Sequence, residues 1–151
     1  MERNNKMEIR KLILCLGASL LLVLQSCNTQ MQKPIQNYFF GTWKSAENAE
    51  LIFNNNGTFI GINLPAELGF FPADSFRNIK FGGSGKWILK KGNTNWEINL
   101  DFDKVSGINK NGCSFPLLIA GRRGIMDNKP PWYIFAWKEE EGGERYKFLK
   151  Q

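Results

Sequence analysis

The feature that most restricts the fold of this chain is a series of short apolar runs with a period of two, separated by Gly and Asn. In Asn95–Phe102, the residues Trp96, Ile98 and Leu100 alternate with polar residues, so this strand has one apolar face. Asn56-Gly57 lies between two further apolar runs and indicates a tight hairpin, because both residues tolerate positive φ. The pattern predicts an all-β fold.

Eight strands account for the alternating runs, and most of them join their sequence neighbours through short turns. They are Tyr38–Lys44, Ala49–Phe53, Thr58–Leu64, Gly85–Lys90, Asn95–Phe102, Ser114–Ala120, Trp132–Lys138 and Glu144–Lys150. An antiparallel meander of this size removes its edges by closing on itself. We therefore predict an antiparallel up-and-down β-barrel of about eight strands.

Two segments interrupt this pattern. Pro65–Asn78 has no period of two, and it predicts one short helical or lid segment between the third and fourth strands. The glycine-rich segment Gly82–Gly85, followed by Lys86, is similar to a phosphate-binding loop but lacks the spacing and the following helix of a P-loop. We interpret it as a flexible turn before the fourth strand.

The first 26 residues have the composition of a secretory signal. Basic residues end at Lys11, the apolar run Leu12–Leu24 follows, and Ser26 directly precedes Cys27. A charged start, a short apolar run and a small residue before the cut are typical of a signal peptide. Spanning the hydrocarbon core needs about 20 residues, so a permanent membrane helix is the poorer interpretation.

Leu24-Gln25-Ser26-Cys27 resembles the bacterial lipobox, in which the cysteine is acylated before signal peptidase II cuts ahead of it. The resemblance implies that Cys27 carries a lipid anchor and that the protein lies in the cell envelope. An outer membrane is the expected site, on its periplasmic or surface face. The alternative is ordinary signal cleavage that leaves Cys27 as a free thiol. Several acyl chains hold a protein on a bilayer much more firmly than one.

These observations predict three regions. Residues 1–26 are the lipoprotein signal peptide, residues 27–37 are the lipidated cysteine and a polar tether, and residues 38–151 are the β-barrel domain. Cys113 is the one other cysteine of the mature part, so no disulfide within the domain is expected.

Phe40-Gly41-Thr42-Trp43-Lys44 resembles the opening of the first strand in lipocalins and fatty-acid-binding proteins, the calycin superfamily. In those barrels a Gly-x-Trp motif places a tryptophan that closes the barrel bottom. The resemblance implies a lipocalin-like barrel that holds one small apolar ligand. An all-β lipoprotein of unrelated topology is the alternative.

Composition argues against several other functions. The chain has no histidine, which excludes Ser-His-Asp catalysis, His-ligated zinc and a histidine proton shuttle. We therefore expect no enzyme, no catalytic residue and no cofactor. Asp101 and Asp103 precede a polar loop, but the spacing is not that of an EF-hand, so no metal is expected.

The charge of the chain also argues against one class of partner. The first 26 residues carry four basic and two acidic side chains, so their removal lowers the net charge from +6 to +4. This excess is modest, and no nucleic-acid partner is expected.

Aromatic side chains are the best candidates for a binding role. The candidates for ligand contact are Phe70, Phe71, Phe76, Trp87 and Trp96. The run Trp132–Trp137 is apolar on both faces. Either Trp132 and Ile134, or Tyr133 and its i+2 neighbours, must therefore lie outside the main core, where an exposed row would mark a partner or membrane contact.

The sequence leaves two functions open. The first is a membrane-anchored, non-catalytic, lipocalin-like binding lipoprotein that takes a small apolar or amphipathic ligand. The alternative is a protein–protein interaction module, such as an inhibitor, immunity or assembly factor, with a packed barrel interior. Its partners would be the membrane, through the lipid anchor, and a small ligand or a protein.

Overall fold

Eight antiparallel strands form a closed barrel in a computed structural model of the chain. The structure describes residues 33–68, 78–93, 95–107, 112–121, 129–138 and 143–151. The predicted signal segment and Cys27 lie outside the described residues, as do Phe70, Phe71 and Phe76. None of the helical segments in the described part is long and apolar enough to cross a membrane.

Each strand pairs with its sequence neighbours, and the last strand returns to pair with the first. The strands are β1 (Gly41–Ser45), β2 (Glu50–Phe53), β3 (Thr58–Pro65), β4 (Lys80–Lys91), β5 (Trp96–Ser106), β6 (Cys113–Ala120), β7 (Tyr133–Trp137) and β8 (Arg145–Lys150). Two single 3-10 turns, Gln36–Phe39 and Ala66–Leu68, accompany them. The predicted all-β, up-and-down antiparallel barrel is confirmed.

The compact unit Gln32–Gln151 contains all eight strands and every described residue. Its core consists of inward side chains from every strand, from Trp43 in β1 to Phe148 in β8. A closed barrel with a core of this extent buries its own apolar surface, so this part of the chain carries what it needs to fold alone.

The fourth strand begins at Lys80, so the prediction of a flexible turn at Gly82–Gly85 was wrong. Two of its positions, Gly83 and Gly85, need glycine because neighbouring atoms occupy the space that a side chain would fill. A Cβ on Gly85 would lie 1.9 Å from the backbone oxygen of Asp101, and one on Gly83 would lie 2.7 Å from the Cδ1 atom of Phe102. The strand therefore depends on glycine for its close approach to β5.

Two β-bulges flank the glycine-rich half of β4. On β3 the pairing moves from Gly61 to Leu64 while β4 advances by two residues, so one extra residue lies on β3. On β5 the pairing skips Asp103. Each bulge bends its strand and increases the local twist, which shapes the barrel wall at this point.

The lower end of the barrel, where β1 begins and β4 turns into β5, is closed by aromatic side chains. Phe39 from the first 3-10 turn stacks on Trp43 with ring centroids 5.7 Å apart. The indole Nε1 of Trp43 donates to the carbonyl oxygen of Phe39 at 2.8 Å. Both residues are fully buried. The 3-10 turn begins at Gln36, so ordered structure starts just inside the segment assigned to the tether.

The upper end, where β3 ends and β8 begins, is partly covered by the chain that follows β3. The second 3-10 turn buries Ala66 and Leu68. It is the described part of the predicted helical or lid segment, and residues 69–77 of that segment lie outside the described residues. Between the two buried residues, the carboxylate of Glu67 accepts a hydrogen bond from the hydroxyl of Tyr146 at 2.8 Å.

Candidate binding cleft

Aromatic rings occupy the middle of the barrel. Phe102 is the centre of this packing, with its ring centroid 4.7 Å from Phe59, 5.5 Å from Phe81 and 5.6 Å from Phe115. All four side chains are buried. The interior around Phe102 is therefore filled by the protein's own side chains.

Trp87, one of the predicted ligand contacts, is packed in the barrel interior nearer its lower end. Its ring lies 5.0 Å from that of Phe53, and only 2% of the residue is exposed. The indole Nε1 donates to the carbonyl oxygen of Asn54 at 3.2 Å, which ties β4 to the β2–β3 hairpin. Its contacts are those of a core residue.

Trp96 lies at the lower end of the barrel, at the start of β5. It is half-buried, packs against the core, and has the Nζ atom of Lys33 5.8 Å from its ring centroid. Its Nε1 is buried and has no hydrogen-bond partner among the described residues. Neither Trp96 nor Trp87 lines the outer-wall concavity across β3, β4 and β5, and the three predicted phenylalanine contacts lie outside the described residues.

A concavity among the described residues lies on the outer wall, across β3, β4 and β5. We call it the wall cleft; it is an open groove of about 830 Å³. Ligand sites for small molecules usually have volumes of about 300–1,000 Å³. Its lining residues are Ile60, Gly61, Ile62, Asn63, Lys80, Phe81, Gly82, Gly83, Ser84, Lys104, Val105, Ser106 and Gly107.

Strand register places the exposed part of the lining. Ser84 of β4 pairs with Ile60 on one side and with Lys104 on the other, so these three side chains share the outer face. Gly82 pairs with Ser106 two positions along β4 and extends the same face. Opposite Gly82, the bulge on β3 carries Ile62 away from the ladder with β4. The wall cleft thus lies on the outer face beside the two bulges, which bend β3 and β5.

Isoleucine side chains supply the apolar surface of the wall cleft. Ile60 is 43% exposed and Ile62 is 41% exposed, although both lie in a strand whose inward side chain Phe59 is fully buried. Exposed large aliphatic side chains next to a groove mark a surface suited to an apolar ligand group. The absence of a side chain at Gly82, on the outer face beside Ser106, leaves room above the backbone.

The polar part of the wall cleft carries cations and hydroxyl groups. Lys80 and Lys104 lie on its rim with Ser84 and Ser106, and the lining residues include neither Asp nor Glu. The Nζ atom of Lys80 donates to the carbonyl oxygen of Glu47 at 3.1 Å, whereas Lys104 makes no ion pair with another described residue. The wall cleft therefore combines apolar and positively charged surface.

A second aromatic group lies on the outer face of β7, away from the wall cleft. The outer aromatic row consists of Tyr133, Phe135 and Trp137, and its first two rings form a small buried cluster with Ala120. Trp132 and Ile134 lie in the main core instead, so the prediction that one of the two rows lies outside that core is confirmed.

A cation covers the outer aromatic row. The guanidinium carbon of Arg145 lies 5.2 Å from the ring centroid of Phe135 and 5.6 Å from that of Trp137, and its Nη1 donates to the hydroxyl of Tyr133 at 3.1 Å. Lys147 adds its Nζ atom 4.2 Å from the Tyr133 ring. Trp137 itself stays 42% exposed. This surface joins aromatic rings to positive charge.

Titratable groups gather at the upper end. Burial, and then the hydrogen bond to Glu67 and the charge of that carboxylate, raises the pKa of the Tyr146 hydroxyl well above its usual value. Nearby, the Nζ atom of Lys138 lies 2.7 Å from a carboxylate oxygen of Glu47 and 3.8 Å from one of Glu144. The hydrogen bond to Glu47 raises the pKa of Lys138. The Tyr146–Glu67 hydrogen bond joins β8 to the second 3-10 turn, and Lys138 links the end of β7 to the β1–β2 turn and to the residue before β8.

The described groups offer binding contacts of two kinds, apolar surface with cations at the wall cleft and stacked rings at the outer aromatic row. No group of three or more His, Cys, Asp or Glu side chains in the described part is arranged to hold a metal ion. Sequence reasoning missed Ile60, Ile62 and Lys104 as site residues. The available signal was the run Phe59–Ile62, which is apolar at outward as well as inward positions.

Comparison with known proteins adds no relative: the chain matches no protein-family model, no curated protein and no solved structure.

Proposed function

We propose that this protein is a membrane-anchored, non-catalytic binding lipoprotein that holds a small amphipathic ligand on its barrel. The observation that carries the proposal is the wall cleft, where exposed Ile60 and Ile62 lie beside Lys104 and two serine hydroxyls. A ligand with an apolar part and a polar part fits such a mixed lining. The barrel itself acts as a rigid scaffold, because aromatic rings fill its middle.

This proposal moves the ligand from the inside of the barrel to its outer wall. The resemblance to lipocalins implies a ligand in the lumen, but the rings of Phe59, Phe102 and Phe115 occupy the space around the barrel middle. A binding site built on strands holds its side chains in place more precisely than a site built on loops. The wall cleft lies on such strands, because β4 and β5 pair through most of their length.

Binding is tested by isothermal titration calorimetry with residues 28–151, which include the whole unit Gln32–Gln151. The probes are amphiphiles with a twelve-carbon chain and different head groups, kept below their micellar concentrations. We expect saturable binding of at least one of them at one site. Heats that stay linear with every amphiphile would contradict the proposal.

Two matched variants locate the site. Ile60→Ser removes apolar surface from the wall cleft, and Ile88→Ser removes it from an exposed position of β4 that is not part of the lining. We expect weaker binding from Ile60→Ser alone, by about fivefold to tenfold, because each buried methylene contributes about 0.8 kcal/mol and contact with the ligand is partial. Equal effects of the two substitutions would place the ligand elsewhere.

The lipid anchor is tested on the full chain expressed in a bacterium. We expect the mass of the amino-terminal peptide to show a diacylglycerol-modified Cys27, and we expect the protein to enter the detergent phase on cloud-point extraction. Cys27→Ser is the control that should lose both properties. A peptide that begins after a cut elsewhere, or a free Cys27 thiol, would contradict the anchor.

A second candidate function is a protein–protein interaction module with a packed barrel interior. The packed rings around Phe102 favour it, and so does the exposed Trp137 beside Arg145 on the outer aromatic row. A protein retained by the wild type and by Ile88→Ser, but lost with Trp137→Ser, would support this function. Retention by all three would argue against a role for this surface.

A further inference from the structure

We infer that the wall cleft selects a single-chain amphiphile with a negatively charged head group, and that Lys104 is the residue that contacts the charge. The inference rests on the proposed function and names the chemical class of its ligand.

The lining carries two positive charges and no negative charge. Lys80 and Lys104 are its ionisable side chains, and both are exposed. An anion placed between them therefore meets attraction from the lining and no opposing carboxylate. In an open groove this attraction is screened by water and salt, so it acts as a preference among head groups and contributes little without apolar contact.

The two lysines have different roles. Lys80 already donates to the backbone oxygen of Glu47, which draws its ammonium group toward the β1–β2 turn. The ammonium group of Lys104 makes no ion pair or hydrogen bond with another described residue, so its three donors remain for a ligand. Ser84 lies directly opposite Lys104 in the ladder and offers a hydroxyl to the same head group.

Strand register gives the ligand a direction. Ile60, Ser84 and Lys104 follow one another across the three strands on the outer face. Ile62 lies further along β3, beside the bulge. An alkyl chain on the isoleucine side of the wall cleft therefore puts its head group on the β5 side, where Lys104 and Ser106 are located.

The experiment uses residues 28–151 and three twelve-carbon amphiphiles: dodecyl phosphate, dodecyl maltoside and dodecyltrimethylammonium. Inorganic phosphate is titrated separately. We expect dodecyl phosphate to bind about tenfold more tightly than the neutral amphiphile, because a hydrogen bond to a charged group is stronger than a neutral one. We expect the cationic amphiphile to bind most weakly and phosphate alone to give no measurable heat.

Lys104→Gln should reduce the preference for dodecyl phosphate to about twofold or less while binding of dodecyl maltoside stays unchanged. Lys86→Gln is the matched control, because Lys86 is an exposed lysine of β4 that is not part of the lining. It should keep the preference of the wild type. Added salt should weaken the binding of dodecyl phosphate to the wild type more than to Lys104→Gln.

The outcomes separate this inference from the proposed function. Equal affinity for all head groups would overturn the anion preference and leave the amphipathic binding site standing. Binding of none of the amphiphiles would overturn the proposed function itself. Equal loss in Lys104→Gln and Lys86→Gln would show a general charge effect and overturn the assignment to Lys104. Binding of inorganic phosphate as tight as that of dodecyl phosphate would overturn the amphiphile and indicate a free anion site.

Discussion

The lower end of the barrel and the wall cleft are both built from antiparallel strands, but they use their apolar side chains differently. At the lower end, large rings meet: Phe39 stacks on Trp43, and Phe53 lies against Trp87. At the wall cleft, the lining includes the glycines Gly82 and Gly83 instead of aromatic residues. The exposed isoleucines Ile60 and Ile62 lie beside them. One region uses its apolar surface for folding, and the other leaves apolar surface in contact with water.

The difference comes from side-chain size at paired positions. Gly61 pairs with Gly83, so the wall has no inward side chain at two neighbouring positions. Phe102 and Leu64 fill that space from the inside, with atoms 2.7 Å and 2.5 Å from where the missing Cβ atoms would lie. Small residues on two strands thus let the interior pack tightly while the outer face above them stays open. The packed interior and the proposed binding surface therefore lie on different faces of the same wall.

The largest effect is expected from the lower end. Trp43→Ala removes a fully buried ring and leaves the carbonyl oxygen of Phe39 without its indole donor. We expect the free energy of unfolding to fall by about 3–5 kcal/mol. Urea denaturation followed by circular dichroism measures the loss. The control is Trp137→Ala at an exposed position, for which we expect a loss of about 1 kcal/mol or less.

If Trp43→Ala cost no more than Trp137→Ala, the lower end would not be the stabilising region, and the contrast with the wall cleft would be lost.

Gly85→Ala tests how closely β4 approaches β5. A Cβ at this position would lie 1.9 Å from the backbone oxygen of Asp101, so the strands must separate to admit it. We expect a loss of about 1–3 kcal/mol in the free energy of unfolding, the usual cost of overpacking. A stability unchanged from the wild type would show that β4 has room here and that the glycine is not needed.

The sequence was sufficient to predict the barrel but not the glycine-rich half of β4. Alternation in Asn95–Phe102 and the hairpin at Asn56-Gly57 are local signals, and the structure confirms the strands on both sides of that hairpin. Gly82–Gly85 gave the opposite signal, because glycine is depleted in strands. What holds these residues in a strand is their pairing with β3 and β5. At Gly83 and Gly85 the atoms of β5 leave no room for a Cβ, and a local sequence pattern does not reveal this contact.

The candidate site was harder to predict for a similar reason. Trp87 is a large aromatic residue, and its use as core rather than ligand contact depends on Phe53 and on the carbonyl oxygen of Asn54. The wall cleft depends on two bulges, and bulge positions follow from the pairing of whole strands. The one local signal was Ile60 and Ile62 at outward positions of β3, since a barrel wall with one apolar face leaves the other face exposed.

At the upper end, a hydrogen bond joins β8 to the second 3-10 turn. Tyr146→Phe removes the donor to the Glu67 carboxylate, and we expect a loss of about 1–2 kcal/mol at pH 7. The pKa of Tyr146 is raised in the folded protein, so its contribution is complete below the unfolded value of about 10 and is lost as the pH rises above it. The gap between wild type and variant should therefore narrow above about pH 10.

Urea denaturation of both proteins at pH 7, 9 and 11 measures this dependence. Glu67→Gln is a useful companion, because its amide oxygen still accepts a hydrogen bond from Tyr146 without the carboxylate charge. Parallel stability curves for wild type and Tyr146→Phe over the whole range would show that the hydroxyl titrates as it does in the unfolded chain.

The smallest effect on stability, and the sharpest contrast with Gly85, is expected at Gly82. A Cβ there would lie 3.2 Å from the backbone oxygen of Gly61 and 3.2 Å from the Oγ atom of Ser106, which is crowded but within reach of small shifts. Alanine also reduces the freedom of the unfolded chain, so we expect the free energy of unfolding to change by less than about 1 kcal/mol.

The added methyl group points into the wall cleft, where it should weaken amphiphile binding severalfold in the same calorimetric titration. If Gly82→Ala bound the amphiphile as tightly as the wild type, this part of the outer wall would not touch the ligand. Weaker binding with unchanged stability would show that the face that binds the ligand is separate from the face that holds the barrel together.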